Sequence, residues 1–203
     1  AHDGGHLSLD LPLKQLWKAR IEDTESDVVM LAQPVIVNGK VFAIGADALV
    51  SVFDLETGEV LAAEQIDDAQ AGLFPGVAGG LAANEKFLVA HAGRKKLTAI
   101  DSKTNKILWS VEHSEPLAGG PTLIGNKGVL VTDIDGSTLA FSLNNGALVW
   151  QTSGLPADTV VLGSGSPAVH KGTAIVAGIG GEVSANAVAD GSLLWADSLA
   201  ALA

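Results

Sequence analysis

Apolar and polar positions alternate along most of the chain, in short runs that glycine, asparagine and aspartate interrupt. The stretch Pro34–Leu61 reads PVIVNGKVFAIGADALVSVFDLETGEVL, with breaks at an Asn-Gly pair, a single glycine and a Thr-Gly pair. Alternation with a period of two is typical of half-buried β-strands, and Asn-Gly favours tight hairpin turns. The stretch therefore predicts short antiparallel strands, because helices need longer runs without breakers.

The same pattern returns three more times, starting at Phe87, Gly128 and Thr173. Each unit closes on a short aliphatic run followed by one repeat position, which is occupied in turn by Trp17, Ala62, Trp109, Trp150 and Trp195. The intervals between these positions are 45, 47, 41 and 45 residues. A strand-rich repeat of this length is typical of a four-stranded propeller blade.

We therefore predict an all-β protein with about four four-stranded β-propeller blades over residues 13–203, preceded by a flexible N-terminal segment, 1–12. The predicted blade units are 17–62, 62–109, 109–150 and 150–195. Proline is expected to open the first strand of each unit, where a sheet edge needs no N–H donor. The prolines concerned are Pro34, Pro75, Pro121 and Pro167.

The recurring tryptophan is interpreted as a packing residue. A blade buries both faces against its neighbours, so one large ring per repeat can fill the same gap between blades each time. The alternative, an aromatic platform for a ligand, fits less well, because the ring recurs at a constant strand-end position.

Composition narrows the classes of partner. The chain has 203 residues, 47% of them hydrophobic, which is ample for a sizeable core. Its formal net charge of −11, with 12 Lys plus Arg, argues against nucleic acid or anionic lipid as the main partner. Without cysteine there is no disulfide, thiolate metal site or cysteine nucleophile. No run of about 18 apolar residues occurs, so no membrane-spanning helix is predicted.

The ends of the units resemble the quinoprotein-like (PQQ-type) repeat, which closes with the pattern DxxTGxxLW. Asp54–Ala62 nearly follows this pattern, with Ala62 in place of the tryptophan, and Asp101–Trp109 follows it with Asn105 in place of the glycine. From Leu13 to Leu199 the order of units resembles the N-terminal half of the BamB family of periplasmic lipoproteins. The resemblance implies an eight-bladed propeller on a chain about twice as long, so this chain is expected to be incomplete at its C-terminus.

The resemblance also implies a function. Members of the BamB family are non-enzymatic scaffolds of the outer-membrane β-barrel assembly (BAM) complex, at the periplasmic face of the outer membrane. The implied partners are the POTRA domains of BamA, with unfolded outer-membrane proteins as further partners, and no cofactor or nucleic acid is expected. Membrane attachment in the family uses a lipidated cysteine, which this chain lacks.

In the BamB family the partner-contacting loop precedes the first strand of a blade, and the matching stretch here is ADTVVLGSGSP, Ala157–Pro167. Its apolar triplet stands beside glycines, and exposed apolar residues on a loop indicate a contact patch. The alternative is that the triplet begins a buried strand. The family's loop carries an arginine that this stretch lacks, with Leu162 lying nearest. The residues assigned to partner binding are Thr159, Val160, Val161, Leu162, Gly163 and Ser164.

Two other functions stay open: a fragment of a PQQ-dependent dehydrogenase and a periplasmic ligand-binding propeller. The first needs converging acidic residues for calcium, but the acids of this chain stand at turn positions one blade apart. The second needs exposed aromatic residues, and the chain has five Phe and four Trp. No catalytic or metal-binding residue is assigned. His2, Asp3 and His6 lie in a terminal tail, and the scattered His91, His113 and His170 are expected to be surface or strand residues.

Overall fold

The computed structural model describes residues 14–21, 32–45, 47–68, 79–154, 165–178 and 181–198. Within these ranges the chain forms sixteen strands in four antiparallel four-stranded sheets, blades 1 to 4, in which strands adjacent in sequence are adjacent in the sheet. Blade 1 contains β1 (Val35–Val37), β2 (Lys40–Ile44), β3 (Leu49–Asp54) and β4 (Val60–Gln65). Blade 2 contains β5 (Gly80–Ala83), β6 (Phe87–His91), β7 (Lys96–Asp101) and β8 (Ile107–Glu112). Blade 3 contains β9 (Leu117–Ile124), β10 (Gly128–Asp133), β11 (Thr138–Ser142) and β12 (Leu148–Thr152). Blade 4 contains β13 (Ala168–His170), β14 (Thr173–Ala177), β15 (Glu182–Ala187) and β16 (Leu193–Ser198).

The first strand of each blade is the innermost one. Strand β5 contacts both β1 and β9, and β13 contacts β9, so these strands lie side by side across successive blades. The last strand of each blade is paired on one side alone and forms the outer edge. This is the arrangement of a β-propeller, and it confirms the all-β fold predicted from the repeat. In the described ranges no helix is long and apolar enough to cross a membrane.

The hydrophobic core is divided into layers between blades. Blades 1 and 2 enclose a large cluster that includes Phe42 and Leu88, and blades 2 and 3 enclose another that includes Leu97 and Leu139. The buried cluster between blades 3 and 4 is smaller and consists of Leu130, Ala140, Trp150 and Ala174. Because two of its four members are alanines, the junction between blades 3 and 4 has the least apolar packing of the three.

The third and fourth strands of every blade are joined by the same turn. In each, the last residue of the third strand accepts a backbone hydrogen bond from the residue four positions later, which has a positive φ. The donors are Gly58 (φ 72°), Asn105 (φ 60°), Gly146 (φ 71°) and Gly191 (φ 76°). Positive φ favours glycine, and asparagine tolerates it better than most other residues do. The Thr-Gly and Asn-Gly signals in the sequence therefore mark this turn.

Three tryptophans dock on this turn from the preceding repeat. Their indole N–H groups donate to the carbonyl oxygen at the first turn residue: Trp17 to Leu55 at 2.9 Å, Trp109 to Leu143 at 2.8 Å and Trp150 to Val188 at 2.9 Å. Each ring also lies against the positive-φ glycine. A Cβ added at Gly58, Gly146 or Gly191 would stand 2.5, 2.8 or 2.6 Å from a ring carbon. Glycine is needed here both for its backbone conformation and to leave room for the indole.

The junction between blades 1 and 2 departs from this pattern. Ala62, in β4, stands at the repeat position and has no indole to offer. The following turn carries Asn105 instead of glycine, so the ring and the residue that accommodates it are replaced together. The carbonyl of Ser102, which corresponds to Leu55, instead accepts a hydrogen bond from Lys40 Nζ at 3.2 Å. The same ammonium also donates to Lys103 O at 2.8 Å and to Asn105 Oδ1 at 3.1 Å.

A β-bulge precedes the repeat position in every outermost strand. The register shifts leave one extra residue in each: Leu61, Leu108, Val149 and Leu194. All four are exposed. Bulges bend and twist an edge strand, which discourages pairing with other chains.

The predicted role of the prolines holds in part. Pro34 and Pro167 stand directly before β1 and β13, and Pro75 lies outside the described residues. Pro121 does not open a strand: it lies inside β9, where the pairing with β10 shifts register and Pro121 has no partner residue. A bulge tolerates the missing N–H, so the strand continues through the proline.

Candidate partner-binding face

The predicted partner-binding residues, Thr159 to Ser164, lie outside the described residues. The structure describes the chain on either side of them, up to Gly154 after β12 and from Gly165 before β13. Both points lie at the end of the blades that carries the β6–β7 turn (92–95) and the β10–β11 turn (134–137), called the loop end below. The turns between the third and fourth strands, on which the tryptophans dock, lie at the opposite end.

The chain leaves blade 3 in close contact with the β10–β11 turn. A Cβ added at Gly154 would stand 2.1 Å from the carbonyl oxygen of Asp135, so no side chain fits at this position. Two residues earlier, Thr152 Oγ1 accepts a hydrogen bond of 3.3 Å from the backbone N–H of Thr138. These contacts fix the exit of the connection between blades 3 and 4.

The chain re-enters the fold against the innermost strand of blade 3. Ser166 Oγ accepts a hydrogen bond of 3.0 Å from the backbone N–H of Gly120, and Thr122 Oγ1 donates to the carbonyl oxygen of Pro167 at 2.5 Å. A Cβ added at Gly120 would stand 2.7 Å from Ser166 Oγ, so the glycine allows this approach. Blade 3 therefore anchors both ends of the connection that carries the predicted binding residues.

A cleft of about 150 Å³ lies between blades 3 and 4 beside this exit. Its walls are largely small or polar, and they include Thr138, Thr152, Gly154, Val176, Glu182, Ser184 and Leu193. A cleft of this size has room for about one small side chain.

His91 joins blades 2 and 3 at the loop end. Its Nε2–H donates to the carbonyl oxygen of Gly119 at 2.6 Å, and its Nδ1 accepts a hydrogen bond of 3.2 Å from the N–H of Gly93. Burial lowers the pKa of His91 to about 4, although the Gly119 carbonyl acts in the opposite direction. The imidazole is therefore neutral near pH 7, with both ring nitrogens hydrogen-bonded.

Arg94, in the β6–β7 turn, connects three segments of the chain at the loop end. Its guanidinium Nη1 donates to the carbonyl oxygen of Asp68, at the start of the connection between blades 1 and 2. Its own carbonyl accepts a hydrogen bond of 2.9 Å from the N–H of Leu117, the first residue of β9. Beside it, Lys96 Nζ lies 3.0 Å from Asp67 Oδ1. These contacts hold the loop-end segments of blades 1 to 3 in fixed positions.

Asp133 and His113 form a further contact at the loop end. His113 Nε2 lies 3.2 Å from Asp133 Oδ2. The other carboxylate oxygen accepts hydrogen bonds from the N–H groups of Asp135 at 3.0 Å and Ser137 at 2.8 Å. Asp133 thus organises the β10–β11 turn, against which Gly154 packs.

Three of the acidic residues weighed as calcium ligands serve turns in the structure. Asp54, Asp101 and Asp190 each accept hydrogen bonds from turn N–H groups, chiefly those of Thr57, Thr104 and Ser192, which lower the pKa of all three carboxyls. They are committed to turns in different blades. In the part of the chain that the structure describes, no three His, Asp or Glu side chains come together as a metal site.

Sequence reasoning missed the buried polar contacts of the loop end. The fully buried His91 ends the run FLVAH, where a single polar residue in an apolar strand indicates an internal hydrogen-bonding role. Arg94, in the β6–β7 turn, and Asp133, at the end of β10, are also buried. Of the other histidines, His170 is exposed in β13.

The family model and a curated relative indicate the same family. The family model described as "Outer membrane protein assembly factor BamB" matches residues 46–202. A curated relative, the outer membrane protein assembly factor BamB of Yersinia pestis, is 24% identical over 188 residues, which are 89% of this chain and 47% of the relative. The chain therefore spans about half the length of this relative.

Solved structures show the same fold. The crystal structure of BamB from Moraxella catarrhalis superposes with a TM-score of 0.70 at 21% identity, covering 82% of this chain and 48% of that one. The quinohemoprotein alcohol dehydrogenase ADHIIG from Pseudomonas putida HK5 superposes with a TM-score of 0.67 at 16% identity, covering 86% and 35%. The blade architecture is thus shared by an assembly factor and an enzyme, and the fold does not separate the two functions.

Proposed function

Because the chain belongs to the family of the outer membrane protein assembly factor BamB, we propose that it is a non-enzymatic scaffold in the assembly of outer-membrane proteins. The observation that carries the proposal is the family match, which runs from the β2–β3 turn of blade 1 to the end of blade 4. The proposed location is the periplasmic face of the outer membrane, where such a scaffold meets its clients.

The proposed partner is the set of POTRA domains of BamA, bound at the loop end through Thr159–Ser164. Support comes from the surroundings of this stretch. Gly154 and Ser166 anchor its two ends on blade 3, and the cleft between blades 3 and 4 opens beside its exit. A short loop held at both ends loses less conformational entropy on binding than a free segment does. The apolar triplet supplies the contact area.

Titration calorimetry of the chain against purified POTRA domains of BamA from the same source tests this proposal. Val161→Asp and Leu162→Asp place a charge in the proposed contact, and each is expected to weaken binding at least about tenfold. Val149→Asp is the matched control, because Val149 is 60% exposed on the outer strand of blade 3. Thermal unfolding of each variant establishes that the fold is kept.

Binding that both loop variants weaken and the control preserves would support the scaffold and its contact residues. Binding that tolerates both loop substitutions would overturn the contact residues but not the partner. No heat with the wild-type chain would count against the POTRA domains as the partner. Unfolding of the two loop variants would assign the apolar triplet to the core.

A PQQ-dependent dehydrogenase activity is the competing proposal, and it rests on the fold alone. Its direct test is a titration of the chain with PQQ and calcium, followed through the absorption of the quinone. A saturable spectral change would favour the enzyme, whereas an unchanged spectrum together with POTRA binding would favour the scaffold.

A further inference from the structure

Glu182 is the one charged side chain among the described residues that line the cleft between blades 3 and 4. It is half-buried at the start of β15, and its carboxylate lies directly against Gly178, where a Cβ would overlap it. In the described part of the chain, no basic side chain forms an ion pair with this carboxylate. A carboxylate that is partly withdrawn from water without a cation favours the approach of a positive charge.

The polar residues of the cleft carry further oxygen atoms. Ser184 and Asn186 line the cleft together with Glu182, because alternate residues of a strand point to the same face. The amide Nδ2 of Asn186 donates to Ser184 Oγ at 3.2 Å. On the opposite wall, blade 3 contributes Thr138 and Thr152. The cleft thus combines one carboxylate with hydroxyl oxygens that can accept hydrogen bonds.

The other larger residues of the lining are apolar. Val176 of β14 lies on one side of the cleft, and Leu193 and Ala196 of β16 lie on another. A lysine side chain has an aliphatic stem that can lie along such residues, and its compact ammonium group carries three donors. The guanidinium group of arginine is broader, and the cleft has room for about one small group. Its size and chemistry therefore match the ammonium end of a lysine.

We propose that this cleft receives the ammonium end of a lysine side chain that the partner inserts at the loop end, with Glu182 as its counter-ion. The proposal rests on the proposed function, because it takes the partner to be the protein bound beside Gly154. The cleft opens at this point, so a lysine at the edge of that interface can reach it. The formal net charge of −11 also favours a basic surface on the partner.

Butylammonium, which has the stem and charged head of a lysine side chain, tests the cleft without the partner. Its binding to the chain can be followed by NMR through the backbone amide signals of Gly154, Glu182 and Ser184. We expect 1-butanol, which is similar in size and uncharged, to bind at least about tenfold more weakly. Glu182→Gln should raise the dissociation constant for butylammonium at least about tenfold.

Two further variants separate charge from space in the same titration. Ala196→Leu fills the cleft without removing a charge, and we expect it to abolish the binding of butylammonium. Glu112→Gln is the matched control, because Glu112 is exposed at the end of β8 in blade 2 and does not line the cleft. It should change the dissociation constant by less than about twofold. Thermal unfolding of each variant establishes that the fold is kept.

Titration calorimetry with the POTRA domains then tests whether the partner supplies the lysine. We expect Glu182→Gln to weaken this binding about tenfold and to reduce its dependence on salt concentration, because one ion pair is lost. Glu112→Gln should change neither quantity appreciably.

The two titrations distinguish the possible failures. Butylammonium that binds no better than 1-butanol, or equally well to Glu182→Gln and the wild type, would overturn the cation site. A cleft that binds butylammonium, with POTRA binding that Glu182→Gln leaves unchanged, would overturn the insertion of a partner lysine. Failure of the wild-type chain to bind the POTRA domains would count against the proposed function itself, whereas the butylammonium titration decides the cleft separately.

Discussion

Lys40 Nζ donates to the carbonyl oxygen of Ser102 at 3.2 Å, in the position that an indole N–H fills at the other docking turns. Blade 1 thus caps the turn of blade 2 with an ammonium group from β2 instead of a ring from β4. A charged donor forms stronger hydrogen bonds than a neutral one, and it reaches two further oxygens of the same turn. The turn carbonyl of blade 2 therefore keeps a side-chain donor from the preceding blade, although this donor is a lysine of β2 and not a tryptophan of the outer strand.

Lys40→Met removes this cap while keeping an apolar stem. We expect it to lower the free energy of unfolding by about 1 kcal/mol, because the turn carbonyls lose a charged donor at a partly buried site. Urea unfolding measures the change. Lys127→Met, at an exposed residue of the β9–β10 turn, serves as the control and should leave stability within about 0.5 kcal/mol of the wild type. Equal effects of the two substitutions would contradict the assigned role of Lys40.

Ala62→Trp combined with Asn105→Gly should rebuild the docking contact between blades 1 and 2. Ala62→Trp alone places a ring where the Asn105 side chain stands, so we expect it to destabilise the fold. Asn105→Gly makes room for the ring, and the pair should show a favourable coupling of about 1 to 2 kcal/mol in a double-mutant cycle. Urea unfolding of the four proteins gives this coupling. Additive effects would show that Ala62 and Asn105 do not depend on each other.

Gly146→Ala should be more harmful than Gly172→Ala, although both glycines have a positive φ, 71° and 81°. A Cβ at Gly172 meets nothing within 4 Å, so its substitution carries the backbone penalty alone, about 1 kcal/mol. A Cβ at Gly146 also meets the Trp109 ring at 2.8 Å. We expect a total loss of about 3 kcal/mol there, because the indole must move and its hydrogen bond is disturbed. Chemical denaturation compares the two, and equal losses would count against the ring contact.

The blades could be predicted from the sequence because their signals are local. Period-two alternation and turn pairs such as Thr57-Gly58 lie within a few residues of the structure they specify, and the repeat of about 45 residues multiplies them. The role of Pro121 was predicted wrongly, since a bulge inside β9 depends on pairing with β10 and leaves no local pattern.

The side-chain contacts at the junctions between blades could not be predicted from such local patterns. Ala62 and Asn105 each stand out as departures from the repeat, but their connection is a contact across blades, and Lys40 lies outside the repeat motif altogether. The buried contacts of His91 depend on which face of β6 meets β9, which alternation alone does not decide. The binding residues Thr159–Ser164 stay a prediction, outside the described residues.

The free energy of unfolding should depend on pH because His91 titrates at a lower pH in the folded protein than in the unfolded chain. Its pKa is about 4 in the folded protein and near 6.5 when unfolded, so the unfolded state binds the extra proton first as the pH falls. The contribution of the neutral imidazole is complete above pH 6.5 and is lost progressively down to about pH 4. The total is about 3 kcal/mol, from the size of the pKa difference.

His91→Gln removes the titrating group and can keep one donor and one acceptor near Gly119 and Gly93. We expect this variant to lose the fall in stability between pH 6.5 and 4, measured by urea unfolding across that range, because nothing at position 91 then takes up a proton. His170→Gln, at an exposed histidine of β13, should keep the wild-type slope. If His91→Gln retained that slope, the proton uptake would have to come from another group, and the buried neutral imidazole would not be its source.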